Sequence, residues 1–368
     1  KTLSSYFVEA PFTFKTRLFR SSYIQPFFLL FYVIKVLPFV LYVLKFSVGK
    51  ELHLPTMADE SNLVEYFEEY ITSRGLKLFT CKWVPANQEP KALVFMCHGY
   101  AMECSITMNS TGNRLAKAGF SVYGIDYEGH GKSEGLQGYV PSMEAVIDDC
   151  CGHFTSICEM SENRGKKRFL MGESMGGAVV LLLHRMKPKF WDGGVLVAPM
   201  CKIADDARPP PLVITILTKL TKIIPTWRII PSNDIIDLAF KEPEVREKIR
   251  ANPYCYKGRP RLMTGHELLK VSTDLEERIS EVDLPFIVLH GEEDRVTDKG
   301  VSKGLYEVAT SSDKTLKMYP GMWHGLLYGE PKQNIEIVFR DIIGWLDERS
   351  IEAHLLEREQ KRINDEKY

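Results

Sequence analysis

RFLMGESMGGAVVLLLHRMK, residues 168–187, is the stretch on which the fold turns. Arg168 to Gly172 is a short apolar run of strand type, and Gly176 to Lys187 is apolar with a helical pattern. Between them lies Gly172-Glu173-Ser174-Met175-Gly176-Gly177, a G-x-S-x-G sequence at the change from strand to helix. So sharp a turn forces its central residue into a strained backbone conformation, and a Cβ on the flanking glycines would clash. The Ser174 hydroxyl is then left exposed above the sheet at a helix N-terminus, where a nucleophile belongs. The bare spacing arises often by chance; the strand before it and the helix after it give it weight.

The same alternation recurs outward from this point. Leu78–Val84, Ala92–Cys97, Ser121–Asp126, Gly194–Ala198, Pro285–His290 and Thr315–Tyr319 read as strands. Several are continuous apolar runs, as expected for strands covered on both faces of a parallel sheet. Helical patterns such as Val301–Ala309 lie between them, so the fold class is α/β with a mostly parallel, doubly wound sheet. From Cys201 to Asp283 the rhythm stops: Pro209, Pro210 and Pro211 precede a helical segment, then PEVREKIRANPYCYKGRPR, with no clear strand. The expected organisation is a core of residues 57–200 and 284–349, an inserted helical cap at 201–283, and a Glu/Lys/Arg-rich exposed helix and tail at 350–368.

A serine needs a base beside it, and the base an acid to orient it. In a fold that carries its serine on such a turn, the acid and then the histidine follow in chain order. Downstream, the strand PFIVLH ends in Gly291-Glu292-Glu293-Asp294-Arg295-Val296, and four carboxylates there could serve: Glu292, Glu293, Asp294 and Asp298. Thirty residues beyond Asp294 comes His324, in Tyr319-Pro320-Gly321-Met322-Trp323-His324-Gly325. Of nine histidines, only His324 lies on a glycine-flanked loop after the acid; His153, His184 and His354 fall in helical patterns. Two backbone N–H groups should hold the developing oxyanion. Met175 supplies one, and Tyr100, in the loop His98-Gly99-Tyr100-Ala101, is the better candidate for the other. His130, in Asp126-Tyr127-Glu128-Gly129-His130-Gly131-Lys132-Ser133-Glu134-Gly135, reads as part of a glycine-rich rim turn rather than a proton carrier. That turn does not have the G-x-x-x-x-G-K-[ST] spacing of a phosphate cradle.

Apolar residues make up 45% of the 368 and charged residues 26%, with a net charge of −1. That balance argues against nucleic acid as a partner. Eight cysteines, with no C-x-x-C pair and no ligand spacing to histidine, read as reduced thiols of a cytoplasmic protein and leave no metal site. The N-terminus is less simple. PFFLLFYVIKVLPFVLYVL, residues 26–44, has the length of a membrane-spanning helix, interrupted by Lys35 and Pro38 and flanked by basic residues on both sides. Two readings stand. Residues 24–44 anchor the protein to a membrane, or residues 1–56 are leader sequence upstream of a native start at Met57.

Taken together, HGYA, DYEGHGKSEG, GESMGG, HGEEDRV and GMWHGL, in this order, resemble the plant-type monoacylglycerol lipases among the α/β-hydrolases, a group with lysophospholipase-like and caffeoyl-shikimate-esterase-like members and a serine-aminopeptidase-like domain. The resemblance runs from about Leu63 to Arg349. It implies Ser174, Asp294 and His324 as catalytic triad, Tyr100 and Met175 as oxyanion donors, a helical cap, and no metal or organic cofactor. The implied reaction is hydrolysis of a lipid ester, a monoacylglycerol or lysophospholipid. A hydroxycinnamoyl esterase or a transacylase is the alternative, and a non-catalytic receptor a more distant one. Ala101 departs from the pattern, since relatives often carry glycine there. Within the cap, Val213, Ile216, Leu217, Leu220, Ile223 and Ile224 share one helical face. That face either packs on the core or meets the acyl chain and the membrane holding it, with Leu217 and Leu220 as substrate contacts.

Overall fold

The structure, a computed structural model, describes residues 63–202, 210–230 and 234–365, with side chains described as far as residue 350. One eight-stranded sheet runs through the molecule in the order β1-β2-β4-β3-β5-β6-β7-β8. Its strands are β1 (Val64–Ser73), β2 (Leu76–Pro85), β3 (Ala92–Cys97), β4 (Ser121–Ile125), β5 (Lys167–Glu173), β6 (Gly193–Val197), β7 (Phe286–Gly291) and β8 (Lys314–Tyr319). From β4 to β8 across the sheet all pairs are parallel, and β2 lies antiparallel to both of its neighbours.

Every residue of β3, β4, β6 and β7 is buried, which is why these strands read as unbroken apolar runs. Their side chains alternate between two cores. Leu93, Phe95, Leu170, Leu196 and Val288 face one side, packed with α2 (Met143–Glu159), α3 (Met175–Met186) and α8 (Lys299–Val308). Val94, Met96, Phe169, Met171, Val195 and Ile287 face the other, against α1 (Asn109–Lys117) and α9 (Lys332–Asp365). This is the doubly wound arrangement.

The first strand is absent from the sequence reading. Residues Val64–Ser73 (VEYFEEYITS) form an edge strand that is exposed along most of its length, so neither alternation nor an apolar run marks it. A two-residue turn joins it to β2, with Arg74 at φ 50° and Gly75 at φ 80°. Both values suit a type I′ hairpin, whose usual first residue is Asn, Asp or Gly. Arg74 is held there by tertiary contacts: its guanidinium pairs with Asp149 at 2.6 Å and Glu128 at 2.9 Å.

Between β6 and β7 the described residues hold α4 (Pro211–Leu220), α5 (Ile235–Ala239), α6 (Pro243–Ala251) and α7 (Leu262–Glu277), and no strand. At the C-terminus, α9 continues unbroken through the expected boundary at residue 350 as far as Asp365. Glu, Lys and Arg are good helix formers, and a run of them prolongs a helix rather than ending it. All eight cysteines are buried free thiols. Among the described residues no helix is long and apolar enough to cross a membrane, and the segment 24–44 lies outside them.

Candidate active site

Ser174, Asp294 and His324 follow the C-terminal ends of β5, β7 and β8, on one edge of the parallel sheet, where such folds place their ligands. Ser174 sits between β5 and α3 with φ 55° and ψ −118°, a conformation costly for a residue with a Cβ. The neighbouring backbone enforces it. The Ser174 N–H donates to Val197 O (3.0 Å), and its carbonyl accepts from Gly177 N (2.9 Å) and Met200 N (2.9 Å). A Cβ on Gly176 would stand 1.9 Å from the Cys97 carbonyl oxygen, and one on Gly172 2.1 Å from the Gly176 oxygen. Only glycine allows the strand end, the turn and the helix start to close up this far.

Of the four acids, Asp294 is the one joined to the histidine. Its carboxylate Oδ2 accepts from His324 Nδ1 at 2.7 Å, and its side chain is fully buried. Because a carboxylate can only accept, Nδ1 carries the proton and Nε2 is left as a free base. Oδ1 accepts from the backbone of Val296 (2.7 Å) and Thr297 (3.0 Å), and the Thr297 hydroxyl donates to Oδ2 at 2.9 Å. His290, at the end of β7, approaches the same Oδ2 through Nε2 at 3.1 Å, while its Nδ1 meets Ser302 Oγ at 2.7 Å. Burial alone would push the Asp294 carboxyl up. His324 and His290 beside it outweigh burial and hold it well below the usual carboxylate range. Burial likewise pulls His324 down, but Asp294 and Glu173 raise it above the ordinary histidine value. His290, Thr297 and Ser302 were not singled out in the sequence. HGEEDRV suggested only a strand end and acids, and nothing local marks a histidine that points back at its own loop.

The loop carrying His324 is held from two directions. Buried Glu330 accepts the Trp323 N–H at 2.6 Å and an Asn334 amide N–H at 2.8 Å. From the inserted segment, Ala239 O accepts the Gly325 N–H (2.9 Å), and the Lys241 and Glu242 N–H groups donate to Gly329 O (2.9 and 3.1 Å). The Lys241 ammonium donates to Gly321 O at 2.8 Å.

On the other side, the loop after β3 reaches the serine. A Cβ on Gly99 would lie 3.5 Å from Ser174 Cβ, which sets the backbone entering Tyr100 against the turn. Met175 is the first residue of α3, so its N–H has no partner within the helix. Ala101 takes φ 67°, the left-handed region that glycine enters freely, which gives a physical reason for glycine at this place in relatives. Its carbonyl accepts from Tyr256 N in the inserted segment at 2.9 Å. His98 is buried, takes the Tyr127 N–H on Nε2 at 3.1 Å, and is pushed down to about 3, by burial first and then by His130. His130 is itself buried beside Tyr100, with ring centroids 5.6 Å apart, and burial pushes it down to about 4. The turn that carries it is tied to the loop after β3: Asp126 accepts from Cys104 N (2.8 Å) and Lys132 N (2.9 Å).

Between this loop and the inserted helices lies a cavity of about 240 Å³, lined among others by Tyr100, Met102, Phe240, Ile249, Tyr256 and Arg259. Leu217 and Leu220 are not among its walls; both are half-buried on α4. No group of three or more His, Cys, Asp or Glu among the described residues could hold a metal ion.

Comparison with known proteins agrees with this architecture. The family model described as serine aminopeptidase, S33, matches residues 88–332. Caffeoylshikimate esterase of Arabidopsis thaliana is 36% identical over 295 residues, covering 77% of this chain and 89% of that protein. Human monoglyceride lipase is 30% identical over 286 residues, 77% of this chain and 91% of its own. Among solved structures, a soluble variant of monoglyceride lipase from Saccharomyces cerevisiae in complex with a substrate analogue superposes with a TM-score of 0.67 at 23% identity, over 76% of this chain and 94% of that one. A family match across most of the core, on a mostly parallel sheet with a G-x-S-x-G turn, means that the chain belongs to the serine aminopeptidase S33 family of α/β-hydrolases and is a carboxylic ester hydrolase.

Proposed function

We propose that the protein hydrolyses a lipid ester, a monoacylglycerol or lysophospholipid, with Ser174 as nucleophile, His324 as general base and Asp294 as the orienting acid. The observation that carries this is the 2.7 Å bond from His324 Nδ1 to a fully buried Asp294, on the same sheet edge as a serine in a strained turn. Ser174 Oγ attacks the ester carbonyl carbon while His324 Nε2 takes its proton. The carbonyl π electrons move to oxygen, and that oxyanion is held by the Tyr100 and Met175 N–H groups. Collapse breaks the ester C–O bond, and the leaving alcohol takes the proton back from His324. Water, deprotonated by His324, then attacks the acyl-enzyme and releases the acid and Ser174. These steps need no metal or cofactor. Helices α4 to α7 cap the site, and the outward apolar side chains of α4 meet the lipid phase in which the substrate dissolves.

A second reading is favoured by a specific observation. The cavity beside the oxyanion loop is bounded by Tyr100 and Tyr256, whose rings are 6.4 Å apart, with Lys257 and Arg259 also among its walls. Aromatic walls suit a flat acyl group better than they suit a fatty chain. The Arabidopsis relative is named for such an ester. The test is a turnover panel of the purified full chain against long-chain monoacylglycerols, lysophospholipids and hydroxycinnamoyl esters. A kcat/KM at least tenfold higher for monoacylglycerol or lysophospholipid supports the first reading. The reverse order replaces it with the second.

A further inference from the structure

Glu173, the variable position of the G-x-S-x-G turn, has no part in the steps above, yet its carboxyl is buried in the same site. The residue is 3% exposed, and its Oε2 accepts the Tyr328 hydroxyl at 2.9 Å. Tyr328 lies four residues beyond His324 in the same loop and packs on Phe240 of the inserted segment, with ring centroids 5.5 Å apart. The carboxyl therefore joins the serine turn to the histidine loop at a place where no water-exposed path is needed. The charged and titratable groups around it come from each element packed there. His324 interacts with it favourably and Asp294, at the end of β7, unfavourably. His290 meets the Asp294 carboxylate at 3.1 Å, and Cys255 and Glu103 act electrostatically on Tyr328.

We infer that Glu173 is a positioning residue: a buried carboxyl whose hydrogen bond from Tyr328 ties the serine turn to the loop of His324, and whose anion faces the imidazolium formed when Ser174 gives up its proton. The inference rests on the Ser174–His324–Asp294 reading. Two opposing effects set its strength. Burial, the larger, pushes the Glu173 carboxyl up to about 7, while His324 and then the Tyr328 hydroxyl pull it back. Glu173 is thus set to ionise near neutrality, and its anion counts among the causes that hold His324 above the ordinary histidine value. The two groups titrate as a pair, so the acid limb of activity belongs to both. Removing the anion leaves His324 a weaker base. The acid limb then moves to lower pH, and the plateau falls because a less basic histidine accepts the serine proton less readily.

The experiment is the pH profile of kcat/KM for a soluble short-chain ester with wild type, Glu173→Gln and Tyr328→Phe, each also labelled with a fluorophosphonate probe. Glu173→Gln should shift the acid limb down by roughly one pH unit, as when an opposite charge a few ångströms away is removed, and should lower the plateau. Tyr328→Phe leaves the carboxyl without its donor, protonated over more of the neutral range, and should shift the limb the same way by less. Acid limbs unmoved in folded, labelled variants would overturn the inference, and a lowered plateau by itself would make Glu173 a packing residue. If Glu173→Gln does not fold, Tyr328→Phe alone decides, by whether its limb moves. Labelling separates this failure from failure of the triad reading: a wild type that is not labelled at Ser174 breaks the triad, whereas labelling at Ser174 with a fixed limb breaks only the role of Glu173.

Discussion

The serine turn and helix α4 are opposites in how tightly they are determined. Around Ser174 the backbone approaches so closely that one added carbon meets an oxygen at 1.9 Å, and every residue from Phe169 to Glu173 is buried. No residue of α4 is buried, and Leu212 and Ile216 are 71% and 49% exposed. The difference teaches where each property of the enzyme resides. The ends of the strands fix the backbone around Ser174, Asp294 and His324 and tolerate almost no change. The insertion bounds the cavity beside Tyr100 and leaves apolar surface outward, and α4 can change without disturbing the strands. Both regions meet at Gly325 and Gly329, whose hydrogen bonds to residues 239–242 tie the histidine loop to the insertion.

The largest effect should come from the sheet edge. Ser174→Ala and His324→Ala should each lower kcat/KM by ~10,000-fold or more, as removal of a triad member does. Circular dichroism should remain that of wild type. A fluorophosphonate probe should label wild type at Ser174 and nowhere in Ser174→Ala. Retained turnover in either folded variant would end the triad reading and with it the division of labour between the two regions.

Next comes a change that adds a single methyl group. Gly176→Ala would drive a Cβ to 1.9 Å from the Cys97 oxygen and 2.6 Å from its carbonyl carbon, both backbone atoms of β3 that cannot swing aside. Overpacking of this kind destabilises by about 3 kcal/mol, which lowers the melting temperature by roughly 4 °C. Differential scanning fluorimetry would read it directly. An unchanged melting temperature would show that the turn has slack and that the contrast with α4 is overstated.

How much of this was legible beforehand follows the same division. The core strands showed in the sequence because both faces of each are covered, which requires apolar residues at every position. The edge strand β1 did not, since its partner is the β2 ladder and its side chains face water. Ser174 was marked by its glycines and His324 by chain order. Asp294 stayed one of four acids until the resemblance was invoked, because the choice depends on which carboxylate the loop folds toward His324, and that is a tertiary fact. His290 and Glu173 were unreadable for a related reason. Glu173, the variable residue of a motif, takes its meaning from Tyr328, 155 residues away in the chain, while His290 depends on how its own loop folds back to bring Asp294 and Ser302 to its ring. For α4 the apolar face was visible but its direction was not. Ile214, Leu217 and Leu220 are its half-buried apolar residues, while Leu212, Val213 and Ile216 look outward.

His130 tests the boundary of the rigid region. It is 2% exposed, its Nε2 has no hydrogen-bond partner, and burial keeps it neutral at working pH. A group so placed supports the Tyr100 loop through packing and carries no proton. His130→Ala should therefore change kcat/KM by less than about tenfold, the range of a displaced supporting contact rather than of a lost general base, with no movement of the pH profile. A loss matching that of His324→Ala in a folded protein would make the turn from Asp126 to Gly135 part of the catalytic apparatus.

The smallest effect concerns the outward face of α4. If it touches the lipid phase, each apolar side chain that enters the interface contributes about 1 kcal/mol, roughly a fivefold change in partitioning. Leu212→Ser and Ile216→Ser, at exposed positions, should then reduce turnover of long-chain monoacylglycerol in vesicles by a fewfold each and leave a soluble acetyl ester unaffected. Leu217→Ser and Leu220→Ser fall differently. These side chains are half-buried on α4, and the neighbouring Thr218 hydroxyl lies 3.4 Å from His266 Nδ1 of α7, so serine there weakens the seat of the helix itself. That should lower turnover of both substrates together and reduce thermal stability. The readout is the ratio of kcat/KM for the two substrates, with vesicle co-sedimentation alongside. A ratio that falls for Leu212→Ser and Ile216→Ser but stays level for Leu217→Ser and Leu220→Ser assigns the two faces of one helix to lipid and to packing. A ratio unchanged in all four, with binding to vesicles intact, would mean that α4 is packing throughout, and the substrate preference would then have to come from the cavity beside Tyr100 and Tyr256.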